Sequence, residues 1–399
     1  MAISYRNCLP SLNSVSIPVT KPAIKSVSLV SHNDNKRDFA LPAVAISTGC
    51  QQADVGYLET KFGSQEGISF SSIGDDEGCV VKMGLVNGSS ASLMLPSGLI
   101  TSFKAAMWHG GSLELLHTSV SASDDGGDDD GVSVRGGLSL DFSCEDDAGV
   151  SWTPNAWNLS QVRGTPRDSI QVELVSKNTS GEGSEVEVKL LITLGEEFLT
   201  SEILVSNSSN SSSLRLKGSI MSHLALSTPE ATYAIGLQRS DFVIRPPVLS
   251  GFSLIPPDFI KRDGSKDTSN YSGLRRLFPN WVAKNQAGDV ESLMKNSQDE
   301  LDDSVQEEED DYKHLAMKIS RIYTNAPRNF TIIDRGRRNS VMLEREGFKE
   351  VYVFSPGSGH ELYSKYSYVC VGNSALLEPI ILEAGSEWRG GLSLLNPNS

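Results

Sequence analysis

In EVEVKLLITL, residues 185–194, every even-numbered position is apolar and four of the five odd ones are polar. A period of two lines up the apolar side chains on one face of an extended strand, which a helix of 3.6 residues per turn cannot do. ISFSSI, CVVKMGLV, SASLMLP, SIQVELVSK, EFLTSEILVSN and SLRLKGSIMSHLALS add further short runs between residues 68 and 227, broken by Gly, Asn, Ser and Pro. Long amphipathic helices are missing from this half, so an all-β chain built as a large sandwich is expected over residues 67–399, with a few short helices. NSSNSSS at 207–213 separates two of the runs and reads as a hairpin loop. YKHLAMKISRIY at 312–323 admits a short helix carrying His314, before strands resume at NFTIIDR, SVMLERE and EVYVFSP.

Charge sets further limits. The formal net charge is −15, which opposes nonspecific binding to a phosphate backbone. DDGGDDD at 124–130 reads as a solvated loop. From Asp289 to Asp311 eleven acids face Lys295 alone, so a disordered or frayed insert is expected over about 286–312, either solvated or a docking arm for a basic partner. No window approaches the apolar length of a transmembrane helix.

Residues 1–50 differ from the rest. Arg6, Lys21, Lys25, Lys36 and Arg37 stand against Asp34 and Asp38, and Ser and Pro are frequent. A basic, Ser-rich, acid-poor start without a continuous apolar core has the character of an organelle transit peptide, and a chloroplast is the expected destination. The five cysteines, Cys8, Cys50, Cys79, Cys144 and Cys370, show no CxxC or paired spacing, so neither a disulfide framework nor a zinc site is expected.

Chemistry-bearing motifs are sparse. The six histidines form no His-x-x-x-His pair, and neither a G-x-S-x-G elbow nor a phosphate loop is present. No metal or cofactor is called for.

Five stretches taken in order carry a resemblance. PSGLITSFKAAMWHGGSLELLHT (96–118), VRGGLSLDF (134–142), ATYAIGLQRSDF (231–242), ISRIYTNAPRNFTIIDRGRRNSVMLEREGFKEVYVFSP (319–356) and YVCVGNSALLEPIILEAGSEWRGGLSL (368–394) resemble the glucose-6-phosphate 1-epimerase branch of the aldose epimerases. The resemblance implies a galactose-mutarotase-like β-supersandwich. In that family a carboxylate serves as general base, one histidine as general acid, and a second histidine holds the sugar. The family's CVE corresponds to Cys370-Val371-Gly372, so the base position is Gly372. The sugar-binding histidine of HGFAR falls in GVSWTPNAWNLSQV, and no histidine occurs between His117 and His223. Ungapped spacing puts Met221 at the acid position, with His223 two residues on, either a relic of that acid or a core or interface histidine. Arg135 matches the arginine of RGG and is read as a substrate or anion contact or as a structural ion-pair former. The aspartate of DRxY is replaced by Ser320. Glu378 and Glu383 lie near the lost base in sequence.

A transit peptide, an epimerase-like body without its acid and base, and a long acidic insert together resemble the plant NDH-dependent cyclic electron flow proteins. That resemblance implies a non-catalytic subunit of subcomplex B in the chloroplast NAD(P)H dehydrogenase-like complex. It would be peripheral on the stromal side of the thylakoid membrane and would serve cyclic electron flow around photosystem I. A plastid hexose-phosphate epimerase with a relocated base, or a sugar-phosphate-binding module using Arg135, is the alternative.

Overall fold

A computed structural model describes residues 54–73, 78–122, 132–179, 185–209, 211–256, 259, 304–359 and 363–398. The expected transit peptide, DDGGDDD, His360 and the acidic insert up to residue 303 therefore lie outside the described residues. The described chain opens ahead of the expected sandwich, with α1 (Val55–Phe62). Asp54 caps it by accepting from the Gly56 amide at 2.9 Å, and Leu58 and Phe62, one turn apart, bury against the core.

Strands follow. β1 (Ile68–Ser72), β2 (Cys79–Gly84), β3 (Ser90–Leu95), β4 (Ile100–Ala106) and β5 (Ser112–Glu114) pair as successive antiparallel hairpins. β6 (Thr118–Ala122) and β7 (Val132–Gly136) pair with each other. β8 (Leu138–Asp146), edged by β9 (Ser151–Trp152), returns to the first sheet. β10 (Asn158–Gly164), β11 (Ser169–Thr179), β12 (Glu185–Gly195) and β13 (Phe198–Asn207) meander through the second. Then come β14 (Leu214–Ala225), β15 (Thr232–Ile235), β16 (Asp241–Ile244), β17 (Gln306–Glu307), β18 (Tyr312–His314) and β19 (Ile319–Tyr323). β20 (Asn329–Asp334), β21 (Asn339–Glu346), β22 (Glu350–Ser355), β23 (Tyr368–Leu382) and β24 (Glu387–Leu395) complete the chain.

The first sheet has 13 strands and runs β1-β2-β3-β4-β8-β14-β23-β22-β19-β16-β17, with β5 and β9 on its flanks. The second has nine, β10-β11-β12-β13-β24-β21-β20-β15-β18. Val188, Leu190, Ile192 and Leu194, the apolar face of the alternating stretch, meet Phe103, Phe142, Ile220 and Val371 of the first sheet in one core. Full burial of side chains this size contributes about 1.5–3 kcal/mol each.

Three expectations need correction. NSSNSSS is no hairpin: β13 already has β12 and β24 on its two edges, so the chain leaves it and crosses to the other sheet to start β14. Asn207 fixes that crossing by donating to the Ser212 and Glu383 carbonyls at 2.9 and 3.2 Å, while Asp147 accepts from the Ser213 amide at 2.8 Å. YKHLAMKISRIY forms no helix. Its ends become β18 and β19 in different sheets, because β18 covers the β15 edge of the second and β19 fills the place between β22 and β16 in the first.

The acidic insert is ordered in its last part. Gln306 and Glu307 pair with β16, and Glu308 turns inward to 2% exposure. Its carboxylate accepts from Arg321 at 2.6 Å, Lys313 at 3.2 Å and the Tyr323 hydroxyl at 2.7 Å. Three donors for one carboxylate offset the cost of burying it. Glu308→Ala strands Arg321 and Tyr323 and should lower stability by about 3 kcal/mol, against less than about 0.5 kcal/mol for Asp311→Ala at the exposed end of the same run, as read by urea unfolding.

Candidate functional site

Gly372 lies on β23 between Met221 of β14 and Tyr352 of β22, and His223 is paired with Cys370 on the same two strands. Alternation sends Val369 and Val371 into the core between the sheets and Tyr368, Cys370 and Gly372 to the outer face of the first sheet. The structure thus gathers Gly372, Met221 and His223 on one face, where the epimerase resemblance would place a sugar cleft.

That face is filled. Met221, Ile322, Tyr352, Phe354, Tyr366, Tyr368 and Cys370 form a second apolar cluster, completed by Val243 and Leu254. A side chain added at Gly372 would start against the Ile220 carbonyl, 2.6 Å from Met221 Sδ and 2.9 Å from Met221 Cα. Backbone residues 245–256 lie across the cluster. The Val248 amide donates to the Tyr352 hydroxyl at 3.1 Å, the Gly136 amide donates to the Phe252 carbonyl at 2.7 Å, and the Phe259 ring meets Phe354 at 5.1 Å. Ser320, which the resemblance matches to an aspartate, stands 3.4 Å from the Tyr352 hydroxyl.

A second cover comes from β23 itself. Opposite β14 its register jumps from Ala375 to Ile380, so residues 376–379 leave the ladder. Glu350, 3% exposed, holds them: its carboxylate accepts from the Leu376, Leu377 and Glu378 amides at 2.7, 3.0 and 2.8 Å and from Ser374 at 3.1 Å. Leu376 and Leu377 then pack on the apolar cluster. Both oxygens of Glu350 are engaged, which leaves this buried acid unsuited to abstract a substrate proton. The two acids near Gly372 in sequence do no better. Glu378 points outward, its carboxylate 3.5 Å from Lys349 Nζ, and Glu383 is exposed.

The RGG motif has a structural use. Gly136 and Gly137 have φ of 88° and 66°, a conformation that glycine enters without strain. At Gly136 a Cβ would meet the His117 carbonyl and Leu254. The Gly137 amide donates to the His117 carbonyl at 2.8 Å, and its own carbonyl accepts from the His223 amide at 2.8 Å. Arg135 is exposed on β7 opposite Ser119, away from this junction's buried groups.

His117 joins the site although its sequence surroundings gave no signal for it. Its ring stacks on Tyr368 at 5.5 Å, and its Nε2 is 2.8 Å from the Lys365 carbonyl. His223 packs on the same tyrosine at 5.2 Å, with Nδ1 3.4 Å from the Gly137 carbonyl. The Tyr368 hydroxyl is buried without a hydrogen-bond partner among the described residues. Burial pushes the Tyr368 phenol and the Cys370 thiol well above their ordinary values and lowers His117. The neighbouring aromatic alternation of EVYVFS and YVCVG did hold a signal, since strands apolar on both faces must be covered on both. Among the described residues no group of three or more His, Cys, Asp or Glu could hold a metal, and no helix is long and apolar enough to cross a membrane. A surface pocket of about 230 Å³ lined by Glu145, Asp147, Ser213 and Arg215 lies toward the opposite end of β14 from His223.

His223 is 3% exposed, and its pKa is driven down to about 4 by burial. The unfolded chain, with the imidazole near 6.5, binds a proton that the folded chain refuses. Stability should therefore fall as pH drops from about 6.5 toward about 4, by about 2 kcal/mol at pH 5. The difference between wild type and His223→Leu in chemical unfolding at pH 7 and pH 5 measures that contribution, which the leucine variant should lack.

No family model matches the chain. It is 39% identical over 398 residues to NDH-dependent cyclic electron flow 5 of Arabidopsis thaliana, covering 99% of this chain and 97% of that one. A Cenchrus ciliaris protein provisionally named glucose-6-phosphate 1-epimerase is 27% identical over 84 residues, 19% of this chain and 26% of its own. A galactose mutarotase-like protein from Clostridium acetobutylicum superposes with a TM-score of 0.51 at 12% identity, covering 83% of this chain and 98% of that one. The last likeness shows the galactose-mutarotase-like fold. The match along nearly the whole length shows the family: the chain belongs to the NDH-dependent cyclic electron flow 5 family.

Proposed function

We propose that this protein serves NDH-dependent cyclic electron flow as a non-catalytic subunit of the chloroplast NAD(P)H dehydrogenase-like complex, in its subcomplex B. It would sit on the stromal side of the thylakoid membrane, held there by neighbouring subunits, and act indirectly on electron return from photosystem I. The name of the full-length relative supports the pathway. The observation that carries the non-catalytic reading is the closed outer face at Gly372. Acid–base groups contribute on the order of 10²–10⁴ each only when they reach the substrate. Here the base position has no side chain, Met221 occupies the acid position, and His223 is sealed beneath Tyr368.

Three outcomes follow. Purified protein should leave the α/β interconversion of glucose 6-phosphate, followed by NMR exchange, at the buffer rate. Gly372→Glu should stay inactive and lose about 3 kcal/mol or more of stability, because the new carboxylate begins against the Ile220 carbonyl and Met221 with no donor to meet it. Turnover by either protein would restore the epimerase reading. In wild-type thylakoids run on native gels the chain should migrate with the complex, and its amount should fall when the complex is absent. Migration solely as a free monomer rules the subunit role out.

A further inference from the structure

The outer face of the second sheet carries a feature unconnected with the closed face of the first. Register aligns Phe198 with Leu395, Leu395 with Met342, Met342 with Thr331, Thr331 with Ile235 and Ile235 with Tyr312, across β13, β24, β21, β20, β15 and β18. Directly opposed residues put their side chains on the same side of a sheet. Their chain neighbours Leu199, Leu394, Leu343, Ile332 and Ala234 are buried in the core, so this row points away from it. All six keep access to solvent, Tyr312 at 55%. With strands about 4.8 Å apart, the row extends roughly 24 Å.

A solvated face of an antiparallel sheet is expected to be polar, yet five of these six residues are apolar or aromatic. Near the strand ends of β24 and β21, the β4–β5 turn of the first sheet brings up Trp108, exposed by 79%. Its amide donates to the Asn398 carbonyl at 3.2 Å, and Asn398 Nδ2 donates to Ser340 of β21 at 2.9 Å. Exposed tryptophan beside an apolar strip has the composition of a binding hot spot. Charge brackets the row: exposed Glu196 and Glu197 precede Phe198 at one end, and exposed Asp310 and Asp311 precede Tyr312 at the other.

We propose that this row is the docking surface for a partner protein that presents an apolar strip flanked by lysines or arginines. The inference rests on the subunit reading above and assigns that role a surface. Acids at both ends and a net charge of −15 oppose a second copy of this chain, and they oppose an anionic lipid surface for the same reason.

The test returns the full chain to chloroplasts that lack it, as wild type, as the Met342→Lys/Ile235→Lys double variant and as Val120→Lys. Val120 is 66% exposed on β6, in a different sheet, and controls for added charge. The double variant should lose comigration with the complex by about tenfold or more, the scale of a lost hot spot. Val120→Lys should comigrate as wild type. Tyr312→Ala, at an exposed position that leaves the core intact, should give a partial loss, so the inference does not depend on the double variant folding. Comigration of the double variant and Tyr312→Ala at the wild-type level overturns the docking surface and leaves the subunit role standing. Equal release by Val120→Lys overturns it too. Wild-type dimers, or binding to anionic vesicles, that the row variants abolish would assign the face to another occupant and sink the proposal. Absence of wild-type comigration defeats both readings.

Discussion

Strand β23 is buried on both faces from Tyr368 to Ala375, and the molecule is organised by the need to cover both. One face packs into the core against the second sheet, the ordinary solution for a sandwich. The other carries Tyr368, Cys370 and Gly372, and with Tyr352, Phe354 and Met221 it forms a surface that water would disfavour. Among the described residues no sheet lies over it. Residues 245–256 and the bulge at 376–379 cover it instead, so irregular backbone takes the place of a third layer. Such segments bring polar groups that need partners, which explains why the Val248 amide finds Tyr352 and the Phe252 carbonyl finds Gly136.

Two buried carboxylates do related work at separate places. Glu350 collects three backbone amides of the bulge, and Glu308 collects Arg321, Lys313 and Tyr323 where the chain rejoins the sheet edge. In each case the charge is matched by several donors, the condition under which burying an acid is tolerable. Both acids therefore fix irregular chain to regular sheet. The same arrangement disqualifies Glu350 as a catalytic group, since its lone pairs are already taken.

A fold and a catalytic site have different requirements. The sandwich depends on alternating apolar strands, all of which persist. A sugar site depends on an open polar face, and here that face is closed by aromatic side chains and the chain's own covers. Even the RGG motif, which the resemblance reads through its arginine, is used through its glycines. They make the turn that joins His117, His223 and the 245–256 segment. On the second sheet, the outer row from Phe198 to Tyr312 keeps access to solvent, with acids at both of its ends.

Alternation in residues such as 185–194 determined the sandwich, because a period of two has one structural meaning when long helical patterns are missing. That Gly372 offers no side chain was equally legible, since a glycine has none in any fold. The tertiary structure alone decided the rest. NSSNSSS reads as a turn, but whether a turn returns to its own sheet depends on edge pairing that lies 180 residues away, at β24. YKHLAMKISRIY holds apolar residues at helical spacing, but its ends were claimed by the edge of one sheet and an interior place in the other. Glu308 looked like one solvated acid among eleven, until Arg321 and Tyr323 arrived from another strand to bury it. His117 and His223 stand 106 residues apart in the chain and meet on Tyr368 because Leu116 and His117 bridge to β14, which is itself paired with β23. Local pattern fixes which face of a strand is apolar; only the packing of distant segments determines what covers that face.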